Sequence, residues 1–256
     1  MLNFLIAAST DKGNRKPTNE DSLLVERLTT PFGKMVFAVL CDGMGGLALG
    51  ELASASLVKA FSNWVNHVLP ALSEEPLEDY VIRSHWESII TEVNQKLAQY
   101  GKDRGISLGT TLTAMLLTQN RYYIANVGDT RAYIINHTIA QVTKDQTLIA
   151  REVELGRMTP EQAEVDPRKS VLLQCVGASP DVRPDMFYGD MRANTVYMLC
   201  TDGFRHEITS EEIFDYMNPA VMSGTNEMKI NIDYLIEQNK LRNEMDNISV
   251  ISIKTM

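Results

Sequence analysis

An apolar run that ends abruptly on Asp-Gly occurs twice in the chain, as VFAVLCDG at Val36–Gly43 and as VYMLCTDG at Val196–Gly203. Each reads as a core strand that delivers one carboxylate to its own C-terminal end. Further acidic turns come from NEDS at Asn19–Ser22, from NVGDTRAY with Asp129 between two strand patterns, and from DNISV with Asp246 just before the last strand. A single Asp-Gly is an ordinary turn, because glycine accepts positive φ and aspartate bonds to nearby backbone. Several such carboxylates at converging strand ends are another matter, since like charges at close range raise one another's pKa and destabilise the fold. A bound cation removes that penalty. Oxygen donors without an accompanying His or Cys cluster point to a hard ion, Mg²⁺ or Mn²⁺, rather than zinc. Gly43 then lets the backbone come close enough for its carbonyl to serve as a ligand, while Gly45 and Gly46 permit a tight turn into the next helix.

Around these motifs the apolar spacing alternates between strand and helix. Strands are predicted at Leu2–Ser9, Leu23–Arg27 and Met35–Cys41. Helices are predicted over Gly50–Leu69 and Glu78–Tyr100, whose apolar residues, Trp64 and Trp86 among them, recur every three or four positions as one buried stripe. Strands return at Thr110–Leu117, Arg121–Val127 and Arg131–Asn136, and the short links between them predict antiparallel neighbours. A strand at Val196–Thr201, a helix opened by a Thr209/Glu212 capping box, a helix over Met228–Asn239 and a half-buried ISVISIK strand complete the chain. Strand pairs enclosing long helices, without βαβ alternation, predict α+β architecture with an antiparallel sandwich. The segment at about 144–179 is charged and reads as a partly exposed insertion in a single domain, 1–256.

Charge narrows the function. A formal net charge of -9 disfavours a nucleic-acid groove or an anionic membrane surface, and an anionic substrate needs local cations. The three cysteines, Cys41, Cys175 and Cys200, sit in apolar runs and suit a reducing compartment, where they act as small core residues. No segment reaches transmembrane length. A cytoplasmic monomer is the expectation.

Taken in order, NEDS, CDGMGG, LGTTLTAML, NVGDTRAY, VTKDQTL, CTDGF and DNISV resemble the metal-dependent protein phosphatases, the protein phosphatase 2C-like family, over nearly the whole chain. DGMGG and the middle insertion look like the bacterial branch. The resemblance implies a four-layer sandwich of two packed antiparallel sheets flanked by helices, with metal ions in a cleft at one end. It implies that Asp42 bridges two Mg²⁺ or Mn²⁺ ions, that Gly43 offers its carbonyl to the first, and that Asp202 and Asp246 hold the second. Glu20 and Asp21 match an acidic pair that binds metal-held waters, and Asp129 with Asp202 matches a third, weaker metal position. The implied activity is hydrolysis of phosphoserine and phosphothreonine in proteins by a metal-shared water, opposing a serine/threonine kinase. The middle insertion matches the family's flap beside the cleft.

Several positions depart from the family. Lys16 stands where an arginine usually grips the phosphate, with Arg15 one place earlier. Lysine gives a point charge rather than a two-pronged donor. Met44 follows the first Asp-Gly where eukaryotic relatives carry histidine, so the general acid is unassigned. Gln146 and Asp166 stand at flap positions where bacterial members often carry histidine. His206 reads as an ordinary residue at the opening of a helix, and Thr110, Thr111 and Thr113 as sandwich fillers. Two alternatives are open: a non-catalytic relative that binds phosphopeptides, and a nucleotide-binding glycine loop at DGMGG, the second leaving the other acidic motifs unexplained.

Overall fold

The computed structural model describes residues 1–45 and 49–256, and Gly46 therefore lies outside the described residues. The strands are β1 (Phe4–Asp11), β2 (Asp21–Thr30), β3 (Gly33–Gly45), β4 (Leu108–Thr110), β5 (Leu112–Leu117), β6 (Arg121–Val127), β7 (Arg131–Ile135), β8 (Ile139–Gln141), β9 (Asp185–Asp190), β10 (Val196–Cys200) and β11 (Ile248–Thr255). The helices are α1 (Gly50–His67), α2 (Leu69–Leu72), α3 (Asp79–Arg104), α4 (Leu148–Glu154), α5 (Pro160–Glu164), α6 (Ser210–Met217) and α7 (Thr225–Leu241). One antiparallel sheet runs β1-β11-β10-β7-β8 and the other β2-β3-β5-β6-β9, with β4 paired to β3.

Three apolar layers follow from period-two alternation along the central strands. Val36, Ala38 and Leu40 of β3 meet Tyr197, Leu199 and Ile251 of the facing sheet, forming the layer between the sheets. The opposite face of β3, Phe37, Val39 and Cys41, packs on Leu57, Phe61 and Trp64 of α1 and on Trp86 of α3. Met198 and Cys200 of β10 pack on Ile213 of α6 and Ile232 and Leu235 of α7. The outcome is the expected α+β sandwich with helices on both outer faces. Trp64 and Trp86 both lie in the α1–α3 layer, and all three cysteines are buried and free.

Two expectations fail for stated reasons. The short link at Gly128–Asp129 does not close a hairpin, because β6 and β7 belong to different sheets. Gly128 at φ +94° turns the chain across the sandwich, and a side chain there would strike Thr111 at 2.7 Å. The final strand is buried along its whole length rather than half-buried. It lies between β1 and β10, with Ile251 and Ile253 toward the other sheet and Ile248 and Val250 toward the helices. Its serines are covered with it, and Lys254 reaches the Pro219 carbonyl at 2.7 Å. The short strands β8 and β9 carry little alternation and were not predicted; β9 pairs at the edge of its sheet with β6.

Candidate metal centre and active site

The alternation along β3 explains why an aspartate ends it. Asp42 has the parity of Val36, Ala38 and Leu40, so it emerges between the sheets at the mouth of the sandwich. The β2–β3 register places Asp21 directly opposite Asp42. Like charges so placed across a strand pair are destabilising. The Asp42 backbone is held from the other side: its N–H donates to Thr111 Oγ1 at 3.0 Å, and its carbonyl accepts from Thr111 N at 2.9 Å and Thr110 Oγ1 at 3.0 Å. The threonines thus fill the sandwich and also fix the angle at which Asp42 leaves it.

From the facing sheet β10 brings Thr201, which donates to Asp21 Oδ2 at 3.2 Å, and then Asp202 at the start of a 3-10 turn, Asp202–Phe204. Asp246 stands just before β11. The resulting crowding shows in the carboxyl groups. Burial, then the Asp21 and Asp202 charges, hold Asp42 well above the usual carboxylate range. Burial together with Asp202 pushes Asp21 up to about 7, and the same pair of causes pushes Asp129 up to about 7.

A donor shortage accompanies the charge. Asp21 Oδ1 and Asp202 Oδ1 are buried and lack any hydrogen-bond partner. A hard divalent ion satisfies such oxygens. Gly43 is also required sterically, since a Cβ would meet the Gly50 and Glu20 carbonyl oxygens at 2.2 and 2.5 Å. No group of three or more His, Cys, Asp or Glu side chains among the described residues forms a ready-made metal cage.

The remaining predicted residues are placed unequally. Glu20 is buried and largely occupied by the fold. Its Oε1 accepts from Gly50 N at 3.1 Å at the start of α1, and its carbonyl accepts from Ser54 Oγ at 2.6 Å. Lys16 enters the cleft, with Nζ 2.8 Å from Asp246 Oδ1 and 3.9 Å from Glu20 Oε2. Burial opposes its charge, but the Asp246 hydrogen bond and the Asp246, Glu20 and Asp42 carboxylates outweigh that and raise its pKa. Arg15 is exposed. The cleft measures about 320 Å³, and Met44 and, from the insertion, Ser170 and Leu172 line it together with the carboxylates. A larger cavity of about 590 Å³ adjoins it, sharing Asp129 and Ser170 and reaching under α4 and α5.

Sequence reasoning gave no role to three residues here, His206 being read as an ordinary residue at a helix opening and Arg205 and Glu244 not being singled out. His206 is bound on both sides, with Nε2 3.4 Å from Asp202 Oδ2 and Nδ1 3.3 Å from Glu244 Oε2. Burial lowers its basicity, yet the Glu244 and Asp202 carboxylates outweigh this and raise it. Glu244 Oε1 also accepts from the Asp246 amide at 2.8 Å, so one carboxylate ties the Asp246 loop to the ring beside Asp202. Arg205 Nη2 donates to the Asp129 carbonyl at 3.1 Å. The available signal was position: Arg205 and His206 directly follow the second Asp-Gly strand.

Sheets, cleft and carboxylates together define a two-sheet phosphatase fold with an acidic centre at one end. The protein phosphatase 2C family pattern matches residues 14–237, and the chain belongs to that family. It is 27% identical to the serine/threonine phosphatase stp of Listeria monocytogenes over 250 residues, covering 96% of this chain and 93% of that protein. The crystal structure of the Mycobacterium tuberculosis serine/threonine phosphatase PstP/Ppp superposes with a TM-score of 0.80 at 28% identity, covering 99% of this chain and 98% of that one. The catalytic domain of PstP in complex with two manganese ions superposes equally well, at TM-score 0.80 and 27% identity over the full length of both chains.

Proposed function

We propose that the chain is a metal-dependent protein phosphatase that hydrolyses phosphoserine and phosphothreonine in proteins, the substrates of a serine/threonine kinase. The observation that carries this is the convergence of Asp21, Asp42 and Asp202 with buried carboxylate oxygens that no protein donor satisfies. Asp42, the Gly43 carbonyl, Asp202 and Asp246 are the groups to hold two Mg²⁺ or Mn²⁺ ions, with Glu20 and Asp21 behind them. Such ions, when bound, supply an activated water for in-line displacement and neutralise charge on the phosphoryl oxygens.

The chain's own residues bind and orient. Thr110 and Thr111 fix the Asp42 backbone, and Glu244 fixes the Asp246 loop. Lys16 already stands in the cleft on a flexible stem, so its ammonium can turn from Asp246 to a phosphoryl oxygen. Arg15, exposed on the same loop, adds a second cation for a phosphopeptide arriving at an acidic surface. Met44 has no proton to give, so it does not act as the general acid.

The test is hydrolysis of an aryl phosphate and a phosphothreonine peptide with Mn²⁺, with Mg²⁺ and with chelator, for the wild type and Asp202→Asn. Metal-dependent turnover that drops by at least a hundredfold in the variant is the expected result. One observation favours a non-catalytic phosphopeptide-binding relative: Lys16 itself occupies the acidic cleft as a cation. Folded, metal-loaded protein that binds the phosphopeptide without cleaving either substrate would establish that second reading instead.

A further inference from the structure

Arg205 and His206 come just after the 3-10 turn that Asp202 opens and lie beside the two carboxylates matched to a third metal position, Asp129 and Asp202. Arg205 Nη2 is 3.7 Å from Asp129 Oδ2 and 3.6 Å from Asp145 Oδ2, besides donating to the Asp129 carbonyl. His206 Nε2 is 3.4 Å from Asp202 Oδ2, leaving Oδ1 of that residue as the one without a partner. Asp145 is held in turn by Arg131, with Nε and Nη2 donating to its two oxygens at 2.8 and 2.6 Å. Two guanidiniums, Arg131 and Arg205, therefore face two carboxylates, Asp129 and Asp145, on this flank. The charge that a third divalent ion needs is already compensated, and an arginine cannot give up its charge to make room. A side chain 13% exposed has little water to retreat into.

The third ion therefore does not fit the residues present. We infer that the Arg205 guanidinium stands in for it, so that the chain binds two divalent ions rather than three and Asp129 serves as the counter-ion of Arg205. Asp202 is correspondingly divided, with Oδ1 open to the centre and Oδ2 turned to His206. This rests on the two-ion reading given above.

Two measurements test it. Equilibrium dialysis against Mn²⁺ counts ions per chain: two are expected for the wild type, still two for Asp129→Asn, and a third, weaker one for Arg205→Ala. Three ions in the wild type with one lost in Asp129→Asn would overturn the inference, as would an Arg205→Ala protein that still binds only two. The second measurement is a double-mutant cycle of Arg205→Ala and Asp129→Asn by thermal melting in chelator. Melting temperatures that are non-additive, with Asp129→Asn recovering part of the loss caused by Arg205→Ala, are expected, and additive effects would remove the pairing on which the inference stands. Fewer than two ions in the wild type would count against the two-ion reading, while the cycle in chelator, which needs no metal, still decides the role of Arg205.

Discussion

At the residue scale, chemistry hangs on positions where a small change has a computable consequence. Gly43 is closed in by main-chain oxygens of Glu20 and Gly50, neither of which can swing aside. Gly43→Ala is expected to lose about 1–3 kcal/mol or more of stability, as overpacking against backbone does, and urea unfolding measures it. In the proposed metal site Lys16, 2.8 Å from Asp246, would compete with an ion for that carboxylate. Lys16→Ala should bind Mn²⁺ about two- to fivefold more tightly, the size of a partly exposed ion pair, and at the same time raise KM for a phosphothreonine peptide. Dialysis and steady-state kinetics read the two effects separately, and a variant in which both move the same way would show that Lys16 does not divide its time between carboxylate and phosphate. Asp42, Asp202 and Asp246 were legible in the sequence because each sits at a strand end or a turn, where an unpaired carboxylate is conspicuous. His206 and Glu244 were not, since their partners are 4, 38 and 2 positions away and only folding shows the three carboxylates and one ring as a single group.

At the scale of elements, the insertion is joined to the sandwich by Gln146. Its Oε1 accepts from Gly128 N at 2.8 Å and from Gln174 Nε2 at 2.9 Å, and its Nε2 donates to Asp185 Oδ2 at 2.9 Å. This amide fixes the Gly128–Asp129 turn to the base of the segment that carries α4, α5 and the cleft-lining Ser170 and Leu172. Gln146→Ala leaves buried partners unsatisfied and should cost about 1–3 kcal/mol. Because the wall of the cleft rather than its carboxylates is loosened, KM for a peptide should rise more than kcat falls, with an aryl phosphate little affected; an equal loss on both substrates would contradict this. The element boundaries themselves were read closely where caps or periodicity were strong, as with the Thr209 capping box, in which Thr209 Oγ1 and the Glu212 side chain bond each other's backbone as predicted. Helix α3 runs four residues past the predicted end, to Arg104, and stops where Gly105 adopts φ 65°. The hairpin wrongly expected at Gly128 illustrates the limit: link length constrains distance, not which sheet receives the next strand.

At the scale of the molecule, the acidic centre makes stability depend on pH and, on the proposed function, on metal as well. Asp21 and Asp129 have folded pKa values near 7, above the ordinary 3.8, so the folded state takes up protons first. Stability of the metal-free protein therefore rises as pH falls through 7, and the gain is complete near 4. His206, raised above its usual 6.5, acts in the same direction, its contribution being present at low pH and lost as pH rises. Glu212 and Asp166, each held at about 2 by an arginine, oppose this only below the ordinary carboxylate range. Metal-free protein should thus melt several degrees higher at pH 5.5 than at pH 8, at about 2–4 °C per kcal/mol for a chain of this size. Mn²⁺ should raise the melting temperature more at pH 8 than at pH 5.5, and a metal shift independent of pH would mean that the carboxylates are not what the ion relieves. No helix among the described residues is long and apolar enough to cross a membrane. The amino-acid sequence by itself determined the central strands, the long helices and which carboxylates end them, because alternation, helical periodicity and turn chemistry are local properties written in neighbouring residues. Which of those carboxylates share one cleft, that Lys16 and Arg205 answer their charge, and that the chain crosses between sheets at Gly128 were decided only in three dimensions, because charge and donor balance depend on distance through space rather than along the chain.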